Sequence, residues 1–586
     1  MIDPLPLLQK TFGFPGFRGV QSLVVERVLA GRNTLAVMPT GAGKSLCYQL
    51  PAVAMPGTCI VISPLIALMH DQLRAADAIG IRAATLTSVD TNQAETIARY
   101  RAGALDLLYV APERASNESF AALLGQARLS LFAIDEAHCV SEWGHDFRPD
   151  YRLLRPLFDR YAQTPRLALT ATADAHTRAD ILQQLGIPAE GLIIAGFDRP
   201  NIHYAISPRD STARQIAAII RAQPGPGIVY AQTRRDTERL AEQLASTGRP
   251  TRAYHAGLDP AVRARNQAAF VASEDMVMCA TIAFGMGIDK PDVRFVAHAG
   301  LPKSIEAYYQ ETGRAGRDGD PAIAHLFWGA EDFARAWGRV DEVEPERQAG
   351  ERARLNALAG LVETGGCRRA VLLRHFGESP AVQCGNCDNC RSAPKLIDAT
   401  ELARKFLSAV YRTGQSFGVG HIEKVLTGTG DERVTRLGHD RLSVFGIVSS
   451  AAEAALIKPL SRALQARGLV APNEHGGLAL SGEARAVLRG EEPVEIVAPA
   501  PRAKGRRDTS ALPGNDPLFE ALRNKRRALA DEAKVPPYVI FHDSVLRDMA
   551  SLKPVSRAAL SQITGIGARK MEAYGDAFLN VIREGI

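Results

Sequence analysis

The apolar residues of this chain fall in short unbroken runs rather than in alternating or heptad patterns. Between residues 20 and 200 such runs are Leu35–Met38, Cys59–Ile62, Leu107–Val110, Leu131–Ile134 and Leu167–Leu169, separated by stretches of helical period. Short apolar runs spaced in this way predict strands buried on both faces, as in a parallel sheet covered by helices. The pattern restarts after Phe197-Asp198-Arg199-Pro200, with Gly227–Tyr230, Thr251–Tyr254, Met276–Cys279 and Phe295–His298. The expectation is an α/β protein of two tandem lobes.

From about residue 335 these runs stop. Glu344–Glu363 predicts a charged amphipathic helix, and 400–490 alternates helices with a hairpin, Gly468–Val470 to Leu478–Leu480. Residues 491–514 are rich in Pro, Ala and basic residues and read as a linker. The remainder suffices for a small helical bundle. The expected division is lobe 1 at 1–198, lobe 2 at 199–335, a helical unit at 336–400, a further domain at 401–490, the linker, and the bundle at 515–586.

The 586 residues are 46% apolar and 23% charged, the balance of an ordinary globular protein. A net charge of +6 is compatible with a polyanionic partner but weak by itself. The segment 502–534 is more biased, with nine Lys/Arg against five Asp/Glu. The first residues lack a basic stretch followed by an apolar core, and no apolar run reaches membrane-spanning length, so the expected compartment is the cytoplasm, with no membrane partner. Cys47, Cys59, Cys139 and Cys279 are scattered and are expected as buried small apolar side chains. The other cysteines are clustered.

Three sequence features point to phosphate chemistry. Thr40-Gly41-Ala42-Gly43-Lys44-Ser45 follows a predicted strand and precedes a predicted helix. Gly41 and Gly43 let backbone N–H groups approach phosphate, Lys44 adds a point charge, and Ser45 can hold Mg²⁺; Met38 stands where such loops usually begin with glycine. Asp135-Glu136-Ala137-His138 ends another strand, where Asp135 suits a Mg²⁺ ligand and Glu136 can orient and deprotonate water. Gln310 through Asp318 places Arg314 and Arg317 three apart, as on one helix face; they are transition-state cations across a cleft or a surface salt-bridge pair.

Cys367, Cys384, Cys387 and Cys390 follow C-x16-C-x2-C-x2-C, which suits a closed structural zinc site; the spacing alone leaves an iron–sulfur cluster open. Arg368, Arg369 and Arg374 follow on a helix, as phosphate contacts or as a solvated basic face. Just past the carboxylates, Trp143 and Phe147 either stack on unpaired bases or pack in a core, while His145 and Arg148 are placed to reach phosphates.

In order and wording these motifs resemble RecQ-type DNA helicases of helicase superfamily two, over nearly the whole chain. The resemblance implies two RecA-like lobes, a zinc-binding helical subdomain, a winged-helix domain and an all-α HRDC bundle. It implies that Phe14 stacks on adenine, Arg18 contacts the nucleotide and Gln21 pairs with the adenine edge. Ser63–Leu68 and Ala111–Arg114 match strand-contact motifs, and Leu169–Ala173 matches a motif coupling the lobes. Ala283–Pro291 looks like an element for DNA and γ-phosphate, which brings in Gly287 and Asp289. Gly438-His439-Asp440 looks like winged-helix sequence, with Pro459 in the first turn of its recognition helix. Val535–Tyr538 and Gly565–Gly567 look like HRDC sequence, with Tyr538 a DNA contact. The wing tip, Asn473–Gly477, has no Phe, Tyr or Trp to serve as a stacked strand-separating pin.

The expected activity is thus an ATP-dependent 3′ to 5′ DNA helicase using Mg²⁺ and zinc. Its expected partners are single-stranded, duplex and branched DNA, with single-strand-binding protein and other repair proteins, in recombination and repair at the nucleoid. Two other readings remain at this level: an RNA helicase or remodeller, and a DNA-structure-binding protein with a decayed ATPase.

Overall fold

The structure, a computed structural model, describes residues 3–141, 147–284, 290–472, 477–498 and 516–585. Lobe 1 is built on β1 (Thr34–Val37), β2 (Thr58–Ile62), β3 (Ala83–Leu86), β4 (Leu107–Val110), β5 (Leu129–Ile134), β6 (Arg166–Thr170) and β7 (Leu192–Ile194). They form one parallel sheet in the order β3-β4-β2-β5-β6-β1-β7. Every residue of β1, β2, β4 and β6 is buried, which is why their sequences are unbroken apolar runs. Because β5, β6 and β1 are neighbours, the loops at their carboxyl ends share one edge, the usual ligand edge of such sheets.

Lobe 2 repeats the plan with β8 (Ile202–Pro208), β9 (Gly227–Tyr230), β10 (Thr251–Tyr254), β11 (Val277–Ala280), β12 (Phe295–His298) and β13 (Ala322–Trp328). The parallel order is β10-β11-β9-β12-β13-β8. Strands β3, β7, β8 and β13 have no counterpart among the apolar runs. β8 is an edge strand whose sequence, Ile-His-Tyr-Ala-Ile-Ser-Pro, mixes polar and apolar positions. β3 is small and Ala-rich. Neither presents the signal of a doubly covered strand.

After lobe 2, helices Pro345–Glu363 and Arg368–His375 lead into the cysteine knuckle. Arg368 and Arg369 face inward, at 6% and 5% exposure, not toward a phosphate. Arg368 donates to Asp388 Oδ1 (3.1 Å) and the Leu361 carbonyl (2.8 Å), and Arg369 to the Ile202 carbonyl (2.7 Å). Guanidinium groups this buried need such acceptors. Arg374 alone of the three is exposed. The knuckle's neighbour Phe376 stacks on Phe197 of the interlobe segment at 4.6 Å and meets Tyr309 at 4.9 Å. The zinc-type unit therefore buttresses the junction between the lobes.

The next domain packs helices Thr400–Arg412, Val419–Thr427 and Ala451–Ala466 against the hairpin Val470–Pro472/Leu478–Leu480. Pro459 lies inside the helix Ala451–Ala466 rather than in its first turn. It forfeits one helical hydrogen bond, and burial of Ile457, Leu460, Ala463 and Leu464 on the core side holds the helix together across it. Glu495–Val497 pairs antiparallel with Leu396–Asp398, so the segment read as linker begins with a strand of this domain. The rest of it, 499–514, lies outside the described residues.

The bundle consists mainly of helices Pro517–Ala533, Asp543–Leu552 and Ala568–Glu584 around Leu522, Phe541, Leu546, Met549, Phe578 and Ile582. Among the described residues no helix is long and apolar enough to cross a membrane.

Candidate ATP and DNA sites

The phosphate loop runs from β1 to the helix Leu46–Ala54, with Ser45 at its N-cap. Gly41 has φ +85° and Gly43 φ +74°, a region that L side chains avoid. Lys44 Nζ donates to the carbonyls of Met38 (3.2 Å) and Pro39 (3.4 Å), which holds the ammonium over the loop. Gln21, 4% exposed, is committed to the same loop: Nε2 donates to the Ala42 carbonyl at 2.9 Å, and Oε1 accepts from Arg18 N–H at 2.8 Å. Pairing with an adenine edge requires one of those bonds to be exchanged. Phe14 packs half-buried against a small cluster of Leu8, Val25, Leu46 and Leu50.

Asp135 and Glu136 follow β5 on the shared edge. Asp135 is 8% exposed, and burial together with the neighbouring Glu136 pushes its carboxyl up to about 7 against the pull of Lys44. Such a carboxylate is suited to a cation beside it. Glu136 has φ +49°, and its Oε2 is buried without a hydrogen-bond partner among the described residues. An orphaned acceptor next to a buried carboxylate fits a site for Mg²⁺ and an attacking water, with Asp135 and Ser45 as the holding groups.

A chain of polar contacts leads away from this pair. His138 is pushed down to about 3 by burial, with Lys44 and Arg148 adding to the effect, so its ring is neutral. Its Nδ1 lies 3.0 Å from Thr170 Oγ1 and 3.4 Å from Glu136 Oε2. With a neutral ring, the latter is a dipolar contact and not an ion pair. Thr170 Oγ1 donates to the Thr172 carbonyl (3.1 Å), and Gln310 Nε2 of lobe 2 donates to Thr172 Oγ1 (3.4 Å). The lobes are thus joined through the carboxylate site.

Gln310 lies on the helix Ile305–Thr312, which ends before the arginines. Arg314 and Arg317 are therefore presented by the following turn and not by one helix face. Arg314 is 9% exposed, with Nε buried and without a hydrogen-bond partner among the described residues. It sits beside Tyr230, opposing the burial that pushes that phenol up to about 12. Arg317 lies against the phosphate loop: a Cβ on Gly41 would stand 3.4 Å from Arg317 Cγ. Arg199, read from sequence only as part of the boundary between lobes, organises this approach. Its guanidinium donates to the carbonyls of Thr40 (2.8 Å), Gly313 (3.0 Å), Ala315 (2.8 Å) and Gly316 (2.9 Å). The available signal was a basic residue in a boundary otherwise free of strand or helix pattern.

On the aromatic loop, Trp143 and His145 lie outside the described residues, as do Gly287 and Asp289 of lobe 2. Phe147 is half-buried beneath the Arg152 guanidinium at 5.4 Å. Arg148 Nη1 donates to the Pro64 carbonyl at 3.1 Å, and its N–H to the Cys139 carbonyl at 2.9 Å. Arg148 thus joins the loop after the carboxylates to the Ser63–Leu68 segment. Tyr538 lies elsewhere, on the bundle, with its ring 5.9 Å from Lys290 Nζ of lobe 2.

The sulfurs of Cys367, Cys384, Cys387 and Cys390 lie within 4.8 Å of one another, two pairs at 4.0 Å. Tetrahedral zinc–thiolate bonds of about 2.3 Å place sulfurs about 3.8 Å apart, so the quartet fits that ion with no ligand position left open.

Family models match in chain order: "DEAD/DEAH box helicase" at 18–181, "Helicase conserved C-terminal domain" at 211–319, "RecQ zinc-binding" at 330–391, "RQC domain" at 393–504 and "HRDC domain" at 515–582. The ATP-dependent DNA helicase RecQ of Haemophilus influenzae is 41% identical over 99% of this chain and 96% of its own length. That of Pasteurella multocida is 40% identical over 99% and 93%, and that of Bacillus subtilis 37% over 98% and 98%. With these models in order along it and 37–41% identity to such relatives over nearly its whole length, the chain belongs to the RecQ family of ATP-dependent DNA helicases.

Proposed function

We propose that this protein uses ATP hydrolysis to separate DNA strands, tracking 3′ to 5′, in recombination and repair. The observation that carries the reading is the path of polar contacts from Glu136 through His138, Thr170 and Thr172 to Gln310, beside Arg317, which lies against the phosphate loop. Lys44 holds phosphate oxygens, and Asp135 and Ser45 would hold Mg²⁺, which would supply charge neutralisation on the phosphates. Glu136 takes the proton of the attacking water as its oxygen bonds to the γ-phosphorus and the bond to the bridging oxygen of ADP breaks. Arg314 and Arg317 neutralise charge on the transferring group. Loss of the γ-phosphate removes what those arginines bind, and the lobes part. Opening a base-pair step costs on average about 1.4 kcal/mol, so one such cycle has ample free energy for it.

The reading includes a location at the nucleoid in the cytoplasm and hand-over of the freed strand to single-strand-binding protein and repair enzymes. The test compares unwinding of 3′-tailed duplex DNA, 5′-tailed duplex DNA and tailed duplex RNA. Activity confined to the 3′-tailed DNA is expected; preference for RNA or for the 5′ tail overturns the reading.

In the same frame Phe147 and Trp143 sense the strand. Base–aromatic stacking is worth about 1–3 kcal/mol per base, enough to bias a loop between two positions. Phe147→Ala and Trp143→Ala are expected to reduce DNA stimulation of ATPase about tenfold while DNA affinity changes less, since backbone contacts elsewhere hold the strand. Affinity measured by anisotropy beside ATPase with and without single strands decides it. Lost affinity with normal stimulation at saturating DNA would make the loop a binding surface only.

A further inference from the structure

Two side chains of the segment between the lobes hold the turn that carries Arg314 and Arg317. Arg199 Nη1 donates to the carbonyls of Thr40 (2.8 Å) and Gly313 (3.0 Å), and Nη2 to those of Ala315 (2.8 Å) and Gly316 (2.9 Å). Asn201 Nδ2 donates to the carbonyls of Gly316 (2.8 Å) and Asp320 (2.8 Å). Each terminal guanidinium nitrogen has two hydrogens, so both nitrogens of Arg199 are fully committed and neither is left for a phosphate oxygen. The turn lies past the end of the helix Ile305–Thr312 and has Gly316 at φ +57°. A Cβ on Gly316 would stand 2.5 Å from Asn201 Nδ2, so the turn and its brace are in direct contact.

The brace is itself anchored on both sides. Phe197 stacks on Phe376, and its carbonyl accepts from the Tyr309 hydroxyl at 2.7 Å. Beyond Arg199, the Pro200 carbonyl accepts from Asn386 Nδ2 at 2.9 Å and the Ile202 carbonyl from Arg369 Nη2 at 2.7 Å. Backbone fixed on either side of position 199 aims the guanidinium. Of its four bonds, three end on the lobe 2 turn and one crosses to lobe 1, at the start of the phosphate loop. Gly313 meets the same lobe 1 residue, since a Cβ there would stand 3.4 Å from Thr40 Oγ1.

We propose that Arg199 and Asn201 are positioning residues for hydrolysis: they fix the shape of the arginine turn, and the bond from Arg199 to the Thr40 carbonyl registers that turn on the phosphate loop. Parting of the lobes breaks the Thr40 bond and leaves the bonds within lobe 2, so the turn keeps its shape and loses its register. The arginines then meet the transferring phosphoryl group only while the lobes are together. The requirement is for a fork of donors and not for a charge, which separates Arg199 from the cations it places. The inference rests on the motor reading above.

The experiment uses the full chain with saturating oligothymidylate. It measures ATPase, binding of a fluorescent ATP analogue, and trapping of ADP with aluminium fluoride, which mimics the transferring group. Arg199→Lys keeps the charge and loses the fork, and Arg199→Gln loses both. Each is expected to lower kcat about 10²-fold, the scale set by a misplacement of about 1 Å. Asn201→Ala, which leaves the Arg199 fork in place, is expected to lower it about tenfold. Nucleotide affinity should stay within about twofold while aluminium fluoride trapping falls with kcat, because only the transition state feels the arginines. Arg199→Lys combined with Arg317→Ala should be no slower than Arg317→Ala alone, since Arg199 acts through that residue; a variant that merely loosens the fold would add its own loss. Near-wild-type kcat in Arg199→Lys would show that charge suffices and overturns the positioning role. A double variant slowed by the product of the single losses, or nucleotide affinity falling as far as turnover, overturns it too. Absence of ATPase in the wild type, or normal turnover in Arg317→Ala, counts instead against the motor reading.

Discussion

Glu136→Gln binds ATP with nearly unchanged affinity and loses DNA-stimulated turnover by about 10²–10⁴-fold, the share that a positioned general base supplies. Gln keeps the size and the left-handed backbone position of Glu136, so the phosphate loop and Lys44 are left in place. What it loses is the basic oxygen. Glu136 Oε2 is buried and accepts no hydrogen bond among the described residues, and the neutral ring of His138 at 3.4 Å does not quench its charge. An amide there cannot accept the proton of water. Removing the negative charge also takes away the second-largest cause of the raised Asp135 carboxyl, so Asp135 holds a cation at least as readily as before. Lys44→Ala should differ in kind, because it removes phosphate binding and raises the ATP requirement itself. Fluorescent-nucleotide binding and phosphate release, measured together, distinguish the two. Near-normal turnover in Glu136→Gln would remove this residue from the role of base.

Cys387→Ala is expected to give protein depleted of zinc and either insoluble or rapidly cut by protease. In small peptides zinc–thiolate sites contribute an apparent ~10–16 kcal/mol to folding, so even a fraction of that exceeds the margin of a typical domain. The consequence reaches the motor because the knuckle grips lobe 2. Cys387 is fully buried, its backbone bridges to Tyr204, and its neighbour Asp388 accepts from Ile206 N–H at 2.9 Å, all along β8. Phe376 of the same unit holds Phe197 and Tyr309, and Tyr309 belongs to the helix that precedes the arginine turn. Residual soluble protein should therefore show lowered ATPase as well as lowered metal. Elemental analysis and limited proteolysis provide the check; a soluble variant with full zinc content contradicts the assignment.

The parts legible in the sequence are those whose chemistry is contained in a short segment. The strands β1, β2, β4, β5 and β6 are legible because burial on both faces demands unbroken apolar runs. The phosphate loop is legible because backbone approach to phosphate demands glycine at fixed offsets, and the cysteine quartet because one ion demands four thiolates at short spacing. Elements whose role depends on distant partners were not. The helix Ala451–Ala466 tolerates Pro459 because Ile457, Leu460, Ala463 and Leu464 beside it are buried by other segments. Arg368 and Arg369 look like a basic face and instead satisfy buried carbonyls.

The site divides the same way. Lys44, Asp135 and Glu136 were named from their own motifs, but Arg199 acquires its place from carbonyls of Thr40 and of the Gly313–Gly316 turn, brought to it by the closing of the two lobes. Arg314 and Arg317, three apart, suggest a helix face; the helix ends at Thr312, and the turn that follows sets Arg317 against the phosphate loop and Arg314 beside Tyr230. Tyr538 suggested a nucleic-acid contact from its family likeness, and the tertiary structure sets it against Lys290. Sequence alone therefore determined which groups are the candidates to bind phosphate, hold metal and activate water. Only the tertiary structure decided which cations meet them, because those pairings join residues far apart along the chain and are selected by packing and desolvation, which leave no local pattern.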